Sequence, residues 1–204
     1  MEKFYFERPT LERKEDAIEY INEFYEYNSL INGVSSLHKY LDNYEEWIGK
    51  LEEDRNRILT EERVPSDTYF LVRENDNKIV GMINIRLELN ERLKEFGGHI
   101  GYSIRPTERK KGYNKINLYL GLQVCKNHNI DTAILDADVD NPGSWKTMEA
   151  LGGKNIRNGI NPENNKETKM YAIDVNKSLE EYKDLYKPYI KEGIKNERNS
   201  IQSR

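Results

Sequence analysis

The sequence predicts a mixed α/β (α+β) domain, and three observations carry that expectation. Apolar residues recur at helical spacings of three and four in some segments, and alternate or run together as in strands in others. The two kinds of segment succeed one another along the chain. Proline and glycine pairs divide them at Arg8-Pro9, Arg105-Pro106 and Gly152-Gly153. With 204 residues, one main domain is the default, and a chain of this size buries a substantial core without staples.

The elements follow in order. Phe4 and Phe6 alternate around Tyr5 and give a short strand. Ile18, Ile21, Phe24 and Tyr25 mark a helix over about 14–27, and Leu41, Tyr44, Trp47, Ile48 and Leu51 a second over 40–51. Tyr69 to Arg73 and Ile79 to Leu87 are apolar and β-branched, and the polar turn Asn75-Asp76-Asn77 joins them as a hairpin. His99 to Ile104 is a further strand, closed by Arg105-Pro106. A helix spans roughly 112–127, with Ile116, Leu120 and Val124 on one face and Leu118, Leu122 and Cys125 on the next. Thr132 to Ala137 is a core strand. Asn141-Pro142 opens another helix, with Asn at the cap and Pro in the first turn. Met170 to Ile173 is the last strand. The tail carries Leu179, Tyr182, Tyr186 and Tyr189 on a helical stripe that Pro188 must kink or split. That stripe packs on the parent domain or forms a dimer seam.

Composition narrows the function classes. Thirty-two Lys and Arg against 36 Asp and Glu give a net charge of −4, a poor balance for a nucleic-acid binder. One cysteine excludes a disulfide framework and a cysteine-based zinc cluster, and three scattered histidines argue against a histidine-rich metal site. No apolar run reaches the ~18 residues of a membrane span, and MEKFYFERPT has no apolar signal core. Mean hydropathy of −0.91 implies a heavily solvated surface. The expectation is a soluble, cytoplasmic protein without membrane, nucleic-acid or metal partners.

The most informative segment is His99-Ile-Gly-Tyr-Ser-Ile-Arg-Pro-Thr-Glu-Arg-Lys-Lys-Gly-Tyr-Asn114. Residues 105–111 hold four cations (Arg105, Arg109, Lys110, Lys111) against Glu108, which reads as a surface charge. The loop feeds a helix N-terminus, where unpaired N–H groups and the positive dipole end favour an anion such as phosphate. Gly112 lets the backbone come close to a ligand. The segment is not a Walker loop, because its lysines precede the glycine, and it lacks the Gly-x-Gly-x-x-Gly fingerprint. A solvated basic loop is the plain alternative.

Arg109-Lys-Lys-Gly112-Tyr-Asn114, after a strand ending in Arg-Pro, resembles the pyrophosphate loop of the GNAT superfamily of acyl-CoA-dependent N-acetyltransferases. Val80-Gly-Met-Ile-Asn-Ile-Arg86, Gly97-Gly-His-Ile-Gly-Tyr102 and Asp140-Asn141 with Ser144, Glu149 and Gly152-Gly153 resemble a bacterial branch of predicted acetyltransferases. The resemblance covers about residues 4–174. It implies a GNAT-like mixed, splayed sheet of about six to seven strands flanked by helices, over residues 1–175. Residues 176–204 would be a C-terminal helical extension on the domain or at a homodimer interface. Acetyl-CoA would be the co-substrate. Its pantetheine arm would pair with the backbone of Tyr102, Ser103 and Ile104 as an added strand does. The N–H groups of Lys110, Lys111, Gly112, Tyr113 and Asn114 would hold the pyrophosphate, with charge from Arg109, Lys110 and Lys111. Asn141 and Ser144 would touch the arm, with Trp145 beside them. The family usually has Gly or Ala where Asn114 stands; this side chain either crowds the pyrophosphate or donates an amide hydrogen bond to it.

The implied reaction moves an acetyl group to a primary amine of a small molecule or peptide by direct attack. The backbone N–H of Ile104 is the expected oxyanion donor, and His99 the candidate base, since a free imidazole titrates near ~6.5. A hydrogen-bonded structural histidine is the alternative. Relatives often carry a tyrosine proton donor seven residues beyond the Asn; here that position is Met148, with Tyr171 the substitute if the fold brings it near. Arg86, Asn90 and Tyr69 would shape the acceptor site. The acidic N-terminal helices would suit a cationic amine. Cys125 reads as a core residue. The rivals are a non-catalytic acyl-CoA-binding or regulatory module on the same fold and, further off, a nucleotide-binding protein that holds a pyrophosphate.

Overall fold

The computed structural model describes residues 1–191. Its strands are β1 (Phe4–Glu7), β2 (Ser66–Arg73), β3 (Lys78–Arg86), β4 (Ile100–Ile104), β5 (Thr132–Asp138), β6 (Lys154–Asn161) and β7 (Lys166–Asp174). Its helices are α1 (Lys14–Glu26), α2 (Tyr44–Arg55), α3 (Glu91–Glu95), α4 (Tyr113–Asn127), α5 (Pro142–Glu149), α6 (Val175–Glu181) and α7 (Lys183–Tyr186). The strands form two antiparallel sheets, in the orders β1-β2-β3-β4 and β5-β7-β6. The sheet is therefore split between β4 and β5, the splay that the resemblance implied.

Burial explains the elements. On α1, Ala17, Tyr20, Ile21 and Phe24 face inward, and on α2 Tyr44, Trp47 and Leu51 do. They form one core layer with Phe70, Val72 and Met82 on one face of the first sheet. The other face carries Leu71, Ile83 and Ile85 and packs on α4. That helix is apolar nearly all round because α5 and α6 also cover it, which accounts for its two adjacent apolar faces. Gly121 permits the approach to β3: a Cβ there would lie 2.6 Å from Ile83 Cδ1.

Several boundaries differ from the sequence expectation. The second helix runs 44–55 rather than 40–51, because it starts at the Asn43 cap. The last strand is longer than Met170–Ile173, and β6 was not expected at all. It is an edge strand with a polar sequence whose Ile156 and Ile160 are exposed, so backbone pairing to β7 defines it rather than an apolar pattern. The tail stripe lies on the domain through Val175, Leu179 and Tyr186. The Tyr119 hydroxyl donates to Leu179 O at 3.2 Å, and the Tyr119 and Tyr186 rings sit 5.1 Å apart. The helix breaks at Tyr182, before Pro188, and Ile190 bridges to Phe4. The expected extension beyond residue 191 lies outside the described residues.

Candidate active site

The split between β4 and β5 opens from a pinned end. The two strands touch at Gly98 and Leu135, and the His99 N–H donates to Ile134 O at 2.6 Å. Gly98 is there because nothing larger fits: its φ is +58°, and a Cβ would lie 2.2 Å from Ile134 O. Beyond this point the strands part. The pairs Arg86 N–H to His99 O and Arg105 N–H to Val80 O set the register of β3 with β4. In an antiparallel ladder the alternate residues, Tyr102 and Ile104, then turn their N–H and C=O groups away from β3, to the open edge. Ser103 points back toward β3, and its hydroxyl is paired with Tyr20 Oη at 3.0 Å. Of the three backbone positions expected to pair with the arm, the structure brings two to the opening.

Past Arg105-Pro106 the chain forms an anion cradle. Lys110 and Gly112 both have left-handed backbone, at φ +64° and +85°. Such alternation turns successive N–H groups to one side. The N–H groups of Lys110, Lys111, Gly112, Tyr113 and Asn114 have no acceptor among the described residues, and they cluster at the N-terminus of the 15-residue α4.

The cations of this loop do something different from what their number suggests. Arg105 is 1% exposed and pairs with Glu19 at 2.8 Å and Glu23 at 3.0 Å. Glu23 also accepts from the Thr107 N–H and hydroxyl, each at 2.8 Å, which anchors the loop to α1. Burial alone would raise the Glu23 carboxyl; these donors outweigh it and hold the group below its ordinary value. Arg109 is exposed and folds back along the loop, donating to Ile104 O at 3.1 Å and Ser29 Oγ at 2.8 Å over the Phe24 ring. Lys111 pairs with Glu108 at 2.7 Å, and Glu108, far from being a surface charge, is buried between it and Arg73. Lys110 makes no ion pair among the described residues.

Across the opening stands α5. Asn141 caps it by accepting the Ser144 N–H at 3.3 Å, and is exposed. The Tyr102 side chain spans from β4: its hydroxyl donates to Ser144 O at 3.2 Å and accepts from Ser144 Oγ at 3.1 Å. Asn114 donates to Thr147 Oγ1 at 3.4 Å, while its Oδ1 is buried without a partner. Trp145 bonds to Val139 O under the Lys169 ammonium. Met148 is 1% exposed in the core and carries no proton to give. Tyr171 is equally buried and donates to Glu149 at 2.9 Å, so the fold does not bring it to the opening.

His99 is not built to be a base. Its Nδ1 accepts the Ile134 N–H at 3.0 Å, so in the neutral ring Nε2 carries the proton and no lone pair is free. Burial, and then the Arg86 guanidinium, lower its pKa to about 4. The acceptor residues expected from the sequence are also engaged. Arg86 Nη1 donates to Gly97 O and Gly98 O at 3.0 and 2.7 Å; Asn90 caps α3 and donates to Glu61 O. Tyr69 is 1% exposed, two strands from the opening, with its hydroxyl on Asp67. Cys125 is fully buried, and burial pushes its thiol up to about 12, as befits a core residue.

A residue that sequence reasoning missed is Asp136. On β5 it lies on the face opposite Leu135 and Ala137 and accepts the Gly97 N–H at 2.9 Å. Burial raises its carboxyl pKa, against the pull of the Gly97 bond and Arg86. Its signal in the sequence is weak: it shares its face of β5 with Thr132 and Asp138, opposite Ala133, Leu135 and Ala137.

A family model described as "Acetyltransferase (GNAT) family" matches residues 21–152. The chain belongs to the GNAT acetyltransferase family. No curated protein matches this GNAT chain in sequence. Solved structures share its fold. One is the ribosomal-protein-S5-alanine acetyltransferase from Vibrio fischeri, at TM-score 0.67 and 15% identity, covering 85% of this chain and 94% of that one. Another is the microcin C7 self-immunity acetyltransferase MccE in complex with acetyl-CoA and AMP, at TM-score 0.62 and 15% identity, covering 83% and 91%. A third is a spermidine N-acetyltransferase chimera of Vibrio cholerae SpeG and hSSAT, at TM-score 0.61 and 14% identity, covering 87% and 99%. At these identities the likeness is one of fold. The family uses acetyl-CoA as its co-substrate. Among the described residues no helix is long and apolar enough to cross a membrane.

Proposed function

We propose that this GNAT chain transfers the acetyl group of acetyl-CoA to a primary amine by direct attack, with no covalent intermediate on the protein. The observation that carries the reading is the pairing of an open β4 edge with the five unpartnered N–H groups at the start of α4. The residues fit the co-substrate. The N–H cradle suits a pyrophosphate, the edge N–H and C=O of Tyr102 suit an amide of the arm, and the orphaned Asn114 Oδ1 is an acceptor for an amide N–H. Acetyl-CoA supplies the activated thioester.

The chain's own groups divide the remaining work. The backbone N–H of Ile104 holds the carbonyl oxygen as charge develops there. The amine's proton passes to water, because Asp136, bonded to the Gly97 N–H at the pinned end, lies about 15 Å along β4 from Ile104. Lys110 adds charge at the cradle. Amine acceptors are the substrates named for two of the structural neighbours, an alanine of a ribosomal protein and spermidine.

The buried Met148 favours a second reading, a module that binds acyl-CoA without turnover. Release of free thiol from acetyl-CoA across a panel of polyamines, amino acids, aminoglycosides and peptide N-termini separates the two. Amine-dependent thiol release is expected. Acetyl-CoA binding with no release above buffer for any amine establishes the binding module instead.

A further inference from the structure

A binding site made of main-chain N–H groups works only while the chain holds its shape. In the cradle that shape is costly, since Lys110 takes a left-handed conformation without being glycine. The loop has little of its own to hold it there. From Pro106 to Gly112 no apolar side chain enters the core, and Glu108 is the one buried residue. Polar contacts with the surrounding elements therefore set its position.

Those contacts converge on α1. Glu23 stands among the buried residues of this 13-residue helix, with 11% of its side chain exposed. One of its carboxylate oxygens accepts both the N–H and the hydroxyl of Thr107, each at 2.8 Å, and the other accepts Arg105 Nη1 at 3.0 Å. Bonds to an ionised acceptor are the stronger kind. Arg105 is itself fixed, because its Nε donates to Ile79 O on β3 at 2.9 Å. Farther along the loop, Arg109 Nη2 donates to Ser29, just past the end of α1. The segment 105–109 is thus tied at both ends to α1 and the chain that follows it, and it delivers Lys110 to the start of the cradle. On the other side, Arg73 of β2 holds Glu108.

We propose that Glu23 is a positioning residue for the pyrophosphate of the co-substrate. Through Thr107 and Arg105 it holds the turn from which the five unpartnered N–H groups project, and it touches no ligand itself. The proposal rests on the acetyl-CoA reading above. Without these bonds the loop samples other conformations, and affinity falls in proportion to the fraction of chains whose cradle is formed. The loss falls on the pyrophosphate and not on the arm, because the ladder with β3 fixes the β4 edge independently.

The test needs no acceptor. The full chain is titrated calorimetrically with CoA, and with 3′-phospho-ADP, the part of CoA that carries the pyrophosphate without the arm. Glu23→Ala weakens both about tenfold and by the same factor. Glu23→Gln, which keeps an oxygen for Thr107 but loses the charge, weakens both about threefold. Thr107→Val lowers CoA affinity on its own and adds nothing in the Glu23→Ala chain, because the bond it removes is already gone. Unchanged CoA affinity in Glu23→Ala overturns the proposal. So does a loss for CoA without a loss for the nucleotide, or a Thr107→Val effect that adds in full, since either marks a general disturbance of the fold. If Glu23→Ala does not fold, unchanged affinity in both Glu23→Gln and Thr107→Val overturns the proposal instead. Failure of the wild-type chain to bind CoA overturns the acetyl-CoA reading itself, a result distinct from normal wild-type binding with unchanged variants.

Discussion

Replacing His99 with Asn isolates the consequence of its bond to Ile134. Asn presents an amide oxygen where Nδ1 accepts the Ile134 N–H, but it does not titrate. In the folded chain, burial and the Arg86 guanidinium hold the imidazole at about 4 instead of 6.5. A group depressed by folding binds its proton more weakly in the folded state, so acid favours unfolding. Its contribution is intact above the unfolded value and lost as the pH falls toward the folded one. Linkage between those two values gives a loss of about 2 kcal/mol from pH 7 to pH 5, and about 3 kcal/mol by pH 4. Urea unfolding of wild type and His99→Asn at pH 7 and pH 5 reads this difference, since the other titrating groups cancel in the comparison. The wild type loses about 2 kcal/mol more than the variant. Equal losses refute the assigned environment, and with it the argument that His99 is no base.

The close approaches make a second comparison. Gly98→Ala puts a Cβ 2.2 Å from a backbone oxygen at φ +58° and destabilises by at least about 2 kcal/mol, while Gly112→Ala, at φ +85° in open space, costs about 1 kcal/mol. Thermal unfolding orders them, and the reverse order contradicts the pinned junction. For the cradle, Lys110→Ala weakens acetyl-CoA binding several-fold and Lys111→Ala less, because Lys111 is already paired with Glu108. Calorimetry at low and moderate salt checks this, and a larger effect at Lys111 contradicts it.

The layers of the fold were legible because burial is periodic: the stripes of α1 and α2 and the two adjacent apolar faces of α4 follow directly from which faces they cover. Edge strand β6 was not, since its two isoleucines face solvent and its stability comes from backbone pairing. The loop was found but misjudged. Four cations near one glycine read as an anion site, yet Arg105 is neutralised by Glu19 and Glu23, more than eighty residues earlier, and Glu108 holds Lys111. A charge count cannot see partners that distant. What binds the anion is the backbone, whose left-handed turns at Lys110 and Gly112 only Gly112 announces. His99 was misread for the same reason: its partner is a main-chain N–H on another strand. Asp136 went unnoticed because one acid in an apolar run carries little signal until the strand's two faces are assigned.

The central claim is that the opening between β4 and β5, with the cradle at the start of α4, is an acetyl-CoA site. Calorimetric titration of the full chain with acetyl-CoA, and separately with ATP, tests it most directly. The account predicts saturable one-site binding of acetyl-CoA, with about 2.7 kcal/mol of added stability at a hundred times the dissociation constant, and no comparable effect of ATP. Binding of ATP as tight as that of acetyl-CoA, or no binding of acetyl-CoA at all, contradicts it.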